Sequence, residues 1–215
     1  HKNNLKVLLF SLLICFVIGT NDSYLKNRYN VFYQTLFPKI EYFPEKEKKE
    51  YLKKHKIISE ENINVTFLDS PWGAHYQTAF KIFIDKPYFG NGLKSFRNLC
   101  SKKEINAIRY DQKCSTHPHN MHLEVLSELG LIGYLIFLSI LIGIIFKAYL
   151  IIKEKKNRKN NFYFILLVTF AIFIITVFPL KSSGRIFSTF YGGIFWFYIS
   201  FLSSLFNRFN KVNNK

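Results

Sequence analysis

Charged side chains are scarce in this chain of 215 residues, where Asp, Glu, Lys and Arg together make up 20% of the sequence. They are also unevenly placed, because four long apolar runs contain almost none of them. Membrane transporters carry ionisable residues inside their spans, where these residues mark the paths of ions and substrates. The near-absence of such residues here, with Lys147 standing near one end of a run, argues against a transporter.

The histidines lack the neighbours that a zinc site needs. His117, His119 and His122 lie close together in the sequence, but no cysteine or carboxylate stands beside them at a familiar zinc spacing. We therefore predict no metal and no cofactor.

Acidic residues are fewer than basic ones: the chain has 14 Asp and Glu and 30 Lys and Arg, which gives a net charge of +16. A strongly basic chain is typical of nucleic-acid binding. Here, however, the basic residues stand at the ends of the apolar runs and in one long loop, as they do in membrane proteins. We therefore expect membrane lipids as partners and no nucleic acid.

Apolar side chains are abundant: 49% of the residues are hydrophobic and 18% are aromatic. Apolar runs occupy residues 5–20, 129–152, 162–180 and 186–206. The last three are long enough to cross a bilayer, which takes about 20 residues. The first is shorter and follows two lysines, as in a signal peptide, but no small-residue cleavage site follows it. We therefore predict a transmembrane helix over residues 1–20 as well.

Short loops predict the orientation of these helices. Residues 153–161 are densely basic, the tail at residues 207–215 is also basic, and short basic loops stay in the cytoplasm. The long loop at residues 21–128 then lies in the periplasm. The sequence thus predicts an all-α polytopic membrane protein with about four transmembrane helices and a long, mostly helical periplasmic loop. Because the chain begins with His1 rather than Met, we expect further membrane helices before it.

The long loop carries helix signals of its own. Residues 45–56 are highly charged and predict a solvated helix. Ser70 followed by Pro71 is typical of a helix start, and this second helix should end before Pro87. Its helical spacing predicts one face made of Trp72, Tyr76, Ala79, Phe80, Phe83 and Ile84.

Glycine and cysteine add structural predictions for the same loop. Gly90 and Gly92 flank an asparagine and predict a backbone turn. Cys100 and Cys114 would lie in an oxidising compartment if the loop is periplasmic. We expect a disulfide between them; the alternative is two free thiols.

The segment THPHNMHLEVLSELGLIG at residues 116–133 has the richest chemistry. Pro118 suits the first position of a helix, which predicts a cap at Thr116 or His117 and places His119 and Asn120 in the first turn. Free N–H groups in a first turn favour an anion, and a histidine moves a proton near neutral pH. The helix leads directly into an apolar run, so we expect His119 just above the bilayer surface.

HPHN followed by an apolar helix and ELGLIG resembles the signature of the O-antigen ligase/polymerase superfamily. Residues 81–96, KIFIDKPYFGNGLKSF, and residues 178–196, FPLKSSGRIFSTFYGGIFW, resemble two further segments of that family. Its members transfer glycans from an undecaprenyl-diphosphate carrier without a metal. The resemblance covers roughly residues 70–200.

The resemblance implies roles for individual residues. The histidine directly before asparagine, His119, would activate or orient the acceptor hydroxyl. Arginines would hold the diphosphate of the donor, with Arg97 first and Arg109 and Arg185 next. Many members carry an arginine near the start of the helix before the glycine turn, whereas here His75 is the only residue at that place that can become a cation. Either His75 replaces that arginine in binding the diphosphate, or the contacts to the diphosphate come from elsewhere. The remaining substrate-binding candidates are His117, Asn120 and Glu128. For Glu128 the alternative to substrate binding is a local cap or ion pair.

The function that this resemblance implies is an inverting membrane glycosyltransferase in a bacterial inner membrane. The acceptor would be lipid A-core, as in an O-antigen ligase. The alternatives are an O-antigen polymerase, which joins repeat units, and a protein O-oligosaccharyltransferase. A transport protein or a structural membrane protein is the alternative of another class.

Overall fold

The structure is a computed structural model that describes residues 30, 33, 34, 37, 39–55, 65–105, 108, 113–154 and 162–213. The predicted helix at residues 1–20, the candidate Arg109 and most of the basic loop at residues 153–161 lie outside these residues. The chain forms two compact units, one of His1–Gly73 with Asn106–Arg109 and one of Ala74–Ile105 with Tyr110–Lys215. The described residues form helices, turns and loops without a strand, in agreement with the predicted all-α class.

The first unit contains helix α1, Glu45–His55, which confirms the charged helix predicted there. Short 3-10 helices lie at Ile40–Tyr42 and Phe67–Asp69. The buried Asp69 carboxylate accepts hydrogen bonds from the backbone N–H groups of Thr66 at 2.9 Å and Ile108 at 3.2 Å. One acidic side chain therefore joins two distant parts of the chain in this unit.

Helix α2, Pro71–Asp85, begins and ends where the sequence predicts. The Ser70 hydroxyl accepts a hydrogen bond from the Gly73 N–H at 3.1 Å, so Ser70 caps the helix ahead of Pro71. The predicted apolar face is buried only in part, because Ala79 is buried whereas Phe80 and Ile84 are more than half exposed. The buried side chains of this helix in the second unit are Ala74, His75, Thr78, Ala79 and Ile82.

Helix α3, Phe96–Leu99, continues into the 3-10 helix Cys100–Lys102. Phe96 and Cys100 pack with Ala79 and Ile82 of α2 in a small core. The predicted disulfide between Cys100 and Cys114 is present, with Cα atoms 5.2 Å apart. It ties α3 to the segment that leads to residues 116–120.

Helix α4, Met121–Lys153, is one helix with a break at Gly130, where φ is 71° and ψ is −170°. The prediction that this helix begins near Pro118 is wrong, because Asn120 caps the helix and Met121 is its first residue. Helices α5, Tyr163–Val177, and α6, Thr189–Asn213, pack against α4. The shared core is aromatic and aliphatic, with Phe137, Leu141, Phe173, Leu202 and Phe206 among its buried residues.

Two of the described helices, Met121–Lys153 and the Thr189–Phe209 part of α6, are long and apolar enough to cross a membrane. These two helices match the second and fourth predicted spans, whereas the first predicted span lies outside the described residues. Helix α5 has 15 residues, about 22 Å at 1.5 Å per residue, which is short of a hydrocarbon core about 30 Å thick. It ends at Val177 because Phe178, the residue before Pro179, is extended.

Candidate functional site

The loop after α2 is joined to the break in α4 by main-chain hydrogen bonds. Gly130 interrupts the helical ladder, and carbonyl and N–H groups on both sides of it need other partners. Gly90, with φ of 70°, approaches so closely that a Cβ there would overlap the Glu128 carbonyl group. Four main-chain hydrogen bonds make the junction. The loop donates two of them to α4, from Asn91 N–H to the Ser127 carbonyl at 3.3 Å and from Gly92 N–H to the Glu128 carbonyl at 2.9 Å. Helix α4 donates the other two to the loop, from Leu131 N–H to the Pro87 carbonyl at 2.7 Å and from Ile132 N–H to the Tyr88 carbonyl at 3.2 Å.

Asn120 is the cap of α4. Its side-chain oxygen accepts hydrogen bonds from the N–H groups of His122 at 3.0 Å and Leu123 at 3.1 Å. Its amide group donates to the Pro179 carbonyl at 2.5 Å and to the Tyr76 hydroxyl at 3.4 Å. The cap predicted at residues 116 or 117 is therefore wrong, since Asn120 itself occupies two of the N–H groups that were expected to be free for an anion.

His119 lies just before the helix rather than in its first turn. Its backbone is left-handed, with φ of 54°, a conformation that a residue other than glycine rarely adopts. The Ser183 N–H donates to the His119 carbonyl at 2.9 Å, and the Ser115 hydroxyl lies 3.1 Å from the His119 Nε2. The first contact fixes the His119 backbone, and the second orients its half-buried ring.

Three imidazole rings meet at this place. The His119 ring centre lies 4.2 Å from that of His117 and 5.1 Å from that of His75, which comes from α2. The His117 Nε2 lies 3.2 Å from the Ser183 carbonyl, and its Nδ1 lies 3.0 Å from the Thr116 hydroxyl. The buried Nδ1 of His75 has no hydrogen-bond partner in the part of the chain that the structure describes. The structure thus brings together three histidines that lie up to 44 residues apart in sequence.

Burial favours the neutral form of all three rings. Burial and, to a smaller extent, the charge of the neighbouring His119 lower the pKa of His75 to about 4, against an opposing hydrogen bond to the Lys113 backbone. Burial also lowers the pKa of His119, and burial together with the charge of His119 lowers the pKa of His117. A neutral imidazole at pH 7 can accept a proton, so the cluster is suited to a base and poorly suited to binding anions by charge.

Glu124 is a buried carboxylate that the sequence analysis did not select. Its side chain is fully buried, and its Oε2 accepts a hydrogen bond from the Ile186 N–H at 2.9 Å. The Nε of Arg185 lies 3.7 Å from its Oε1. Glu124 therefore fixes the segment that also contains Ser183, the partner of His117 and His119. Its spacing of four residues from Glu128 on an apolar helix was the one signal in the sequence that could have identified it.

Glu128 is also fully buried, and its Oε2 accepts a hydrogen bond from the Lys94 N–H at 2.6 Å. Arg97 and Arg185 both lie near enough to act on the Glu128 carboxylate electrostatically. Arg97 itself is exposed on α3. Two of the arginines selected from the sequence are thus associated with buried carboxylates of α4.

His122 packs inside the helix bundle, apart from the cluster of three histidines. It is buried, its Nε2 lies 2.8 Å from the Val177 carbonyl, and the Tyr134 hydroxyl lies 3.3 Å from its Nδ1. No group of three or more His, Cys, Asp or Glu side chains in the described part of the chain is arranged to hold a metal ion.

Comparison with known proteins finds one family. The sequence model of a family described as O-antigen ligase matches residues 3–138, more than half of the chain. The matched region includes the histidine cluster, the capping asparagine and the break in α4. No curated protein and no solved structure matches the chain.

Proposed function

This chain belongs to the O-antigen ligase family, and we propose that it transfers a glycan from undecaprenyl diphosphate to an acceptor hydroxyl. Family membership supports glycosyl transfer at a membrane in general, and the long apolar helices agree with a membrane protein. We propose in addition that the acceptor is lipid A-core and that the site faces the periplasm from a bacterial inner membrane.

The observation that carries the proposal is the position of His119. Its ring is half-buried beside two other imidazoles, and burial lowers its pKa, so it is neutral and able to accept a proton at pH 7. The acceptor oxygen forms a bond to the anomeric carbon of the donor while the bond from that carbon to the diphosphate oxygen breaks. The hydroxyl proton passes to His119, and the leaving diphosphate takes the electron pair. Attack from the side opposite the diphosphate inverts the configuration at that carbon.

The charge that develops on the diphosphate needs cationic partners. Arg185 is a candidate for this role because its buried Nε and Nη2 have no hydrogen-bond partner among the described residues, although Glu124 offsets part of its charge. Arg97 is exposed on α3, and Arg109 remains a candidate from the sequence. Arginine matches phosphate oxygens with paired N–H donors, and no step of the proposed reaction uses a metal.

His119→Ala tests the proposal in cells that make glycan-capped lipopolysaccharide. We expect the ladder of capped molecules to disappear from a gel while the polyprenyl-diphosphate-linked glycan accumulates. Loss of the long ladder with retention of single-unit caps would instead identify a polymerase, and transfer to protein would identify an oligosaccharyltransferase.

The matched control is His55→Ala, at the end of the charged helix α1. It should leave the ladder unchanged, and immunoblots should show equal amounts of both variants. An unchanged ladder for His119→Ala at an equal protein level would reject the catalytic role of this histidine.

A further inference from the structure

The region between residues 80 and 93 exposes five large apolar side chains. Phe89 is 79% exposed and Tyr88 is 66% exposed, and the other members are at least half exposed. Apolar patches of this kind mark contacts with other molecules or with a membrane. We call this set the apolar rim; it consists of Phe80, Ile84, Tyr88, Phe89 and Leu93.

Helix α2 is apolar on two opposite sides. Ala79 and Ile82 face inward and pack with Phe96 and Cys100. At 100° per residue, Phe80 points about 160° away from Ile82, so the rim side of the helix faces outward. A helix that is apolar on two opposite sides usually has protein or lipid, and not water, against each of them.

Main-chain hydrogen bonds place the apolar rim at the start of a long apolar surface of α4. The Leu131 N–H donates to the Pro87 carbonyl at 2.7 Å, and the Ile132 N–H donates to the Tyr88 carbonyl at 3.2 Å. From this point onward α4 exposes Leu131, Ile132, Leu135 and Ile136. The rim therefore adjoins the first exposed turn of a helix that is long enough to cross a membrane.

Two lysines border the rim. Lys86 and Lys94 are exposed, and neither ammonium group forms an ion pair or a hydrogen bond with another residue of the described ranges. Lysine side chains extend along apolar surfaces and keep their charge in the headgroup layer, where anionic lipids attract them. Aromatic residues with lysines beside them are typical of the boundary between lipid and water.

We propose that the apolar rim is a membrane-interface anchor. Its side chains insert at the boundary between headgroups and acyl chains, in the leaflet where the part of α4 beyond Gly130 begins to cross the membrane. Lys86 and Lys94 lie among anionic headgroups. This lipid contact does not depend on the proposed glycosyl transfer, and it is tested without measuring activity.

The anchor limits how far the histidine cluster lies from the lipid. His75 stands nine residues before Ile84 on α2, which is about 14 Å along the helix axis. The cluster is therefore held within about that distance of the headgroups, a range suited to a substrate attached to a lipid. This last step rests on the proposed function.

Nitroxide labels test the anchor in the full-length protein, reconstituted into vesicles of phosphatidylcholine and phosphatidylglycerol. Single cysteines are introduced as Phe89→Cys and Leu93→Cys in a Cys15→Ser background, with Cys100 and Cys114 left in their disulfide. Power saturation compares the accessibility of each label to oxygen, which concentrates in lipid, with that to a water-soluble nickel chelate. Leu135→Cys on α4 is the control for lipid, and Lys53→Cys on α1 is the control for water.

We expect the ratio of oxygen to nickel accessibility at Phe89 and Leu93 to exceed that at Lys53 several-fold. A ratio equal to that at Lys53 would overturn the proposal, because the rim would then lie in water. Labels that are immobile and closed to both reagents would overturn it as well, because another part of the protein would then cover the rim. Leu93→Cys decides the question if Phe89→Cys does not fold.

Discussion

Replacing Gly90 by alanine is the sharpest test of the junction between the α2 loop and the break in α4. Gly90 and Gly92 both have a positive φ, 70° and 91°, so a Cβ costs about 1–2 kcal/mol of backbone strain at either position. The two differ in their surroundings. A Cβ at Gly90 would overlap the Glu128 carbonyl, whereas a Cβ at Gly92 would have no atom within 4 Å.

The overlap at Gly90 involves backbone atoms, so it is relieved only by moving the loop away from α4. Such a movement would break main-chain hydrogen bonds such as Leu131 N to Pro87 O, each worth about 1 kcal/mol. If two are lost, Gly90→Ala destabilises the protein by about 3–4 kcal/mol, against about 1–2 kcal/mol for Gly92→Ala. At about 2–4 °C per kcal/mol for a chain of this size, the melting temperatures of the two variants should differ by roughly 4–8 °C.

Circular dichroism of the purified protein in detergent, heated at one fixed rate, measures the two melting temperatures. Gly143→Ala serves as the control for alanine in general, because Gly143 lies in α4, an added Cβ there would have no atom within 4 Å, and alanine favours a helix. Equal melting temperatures for Gly90→Ala and Gly92→Ala would refute the reasoning, because they would show that the close approach to Glu128 is absent or costs nothing.

Three further predictions concern stability. Glu124→Ala leaves the largely buried Arg185 guanidinium without its partner and should lower the free energy of unfolding by about 3–5 kcal/mol. Glu124→Gln keeps an acceptor for the Ile186 N–H and should lower it by less. Equal melting temperatures of the two variants would contradict this reasoning. Cys114→Ser should lower the stability by about 2–4 kcal/mol, and a reducing agent should lower the melting temperature of the wild type but not of the variant. The pKa of His75 falls to about 4 on folding, so the unfolded state binds more protons below the usual pKa of 6.5. The melting temperature should therefore fall as the pH drops from 6.5 towards 4, and His75→Asn should flatten that slope.

Local sequence signals predicted the elements that depend on local interactions. The start of α2 at Ser70 and Pro71 and the charged helix α1 follow from capping and composition, and the structure confirms both. The disulfide between Cys100 and Cys114 joins residues 14 apart, and the sequence favoured it.

The start of α4 was mispredicted because two residues compete for the cap. Pro118 favours a helix that begins beside it, whereas Asn120 is a strong cap in its own right. A contact far away in sequence decides between them: the Asn120 amide donates to the Pro179 carbonyl, 59 residues on. No rule about neighbouring residues includes that carbonyl.

Glu124 escaped selection for a similar reason. The sequence alone does not distinguish a buried carboxylate on an apolar helix from one that pairs locally or lies at the surface. The partners of Glu124 are Arg185 and the Ile186 N–H, the latter 62 residues away. The grouping of His75 with His117 and His119 likewise depends on how α2 packs, which the spacing of the three histidines does not reveal.

The end of α5 and the segment that follows it, up to α6, hold the histidine region mainly through main-chain groups. Carbonyls of Val177, Pro179 and Ser183 and the Ser183 N–H meet His122, Asn120, His117 and His119. Contacts to main-chain groups do not depend directly on which side chains the segment carries. Apart from Arg185, which pairs with Glu124, and the buried Ile186, exposed positions of the segment such as Lys181 and Ser182 should thus accept substitution in a mutational library, whereas an insertion or deletion of one residue would displace these main-chain groups and disrupt the site.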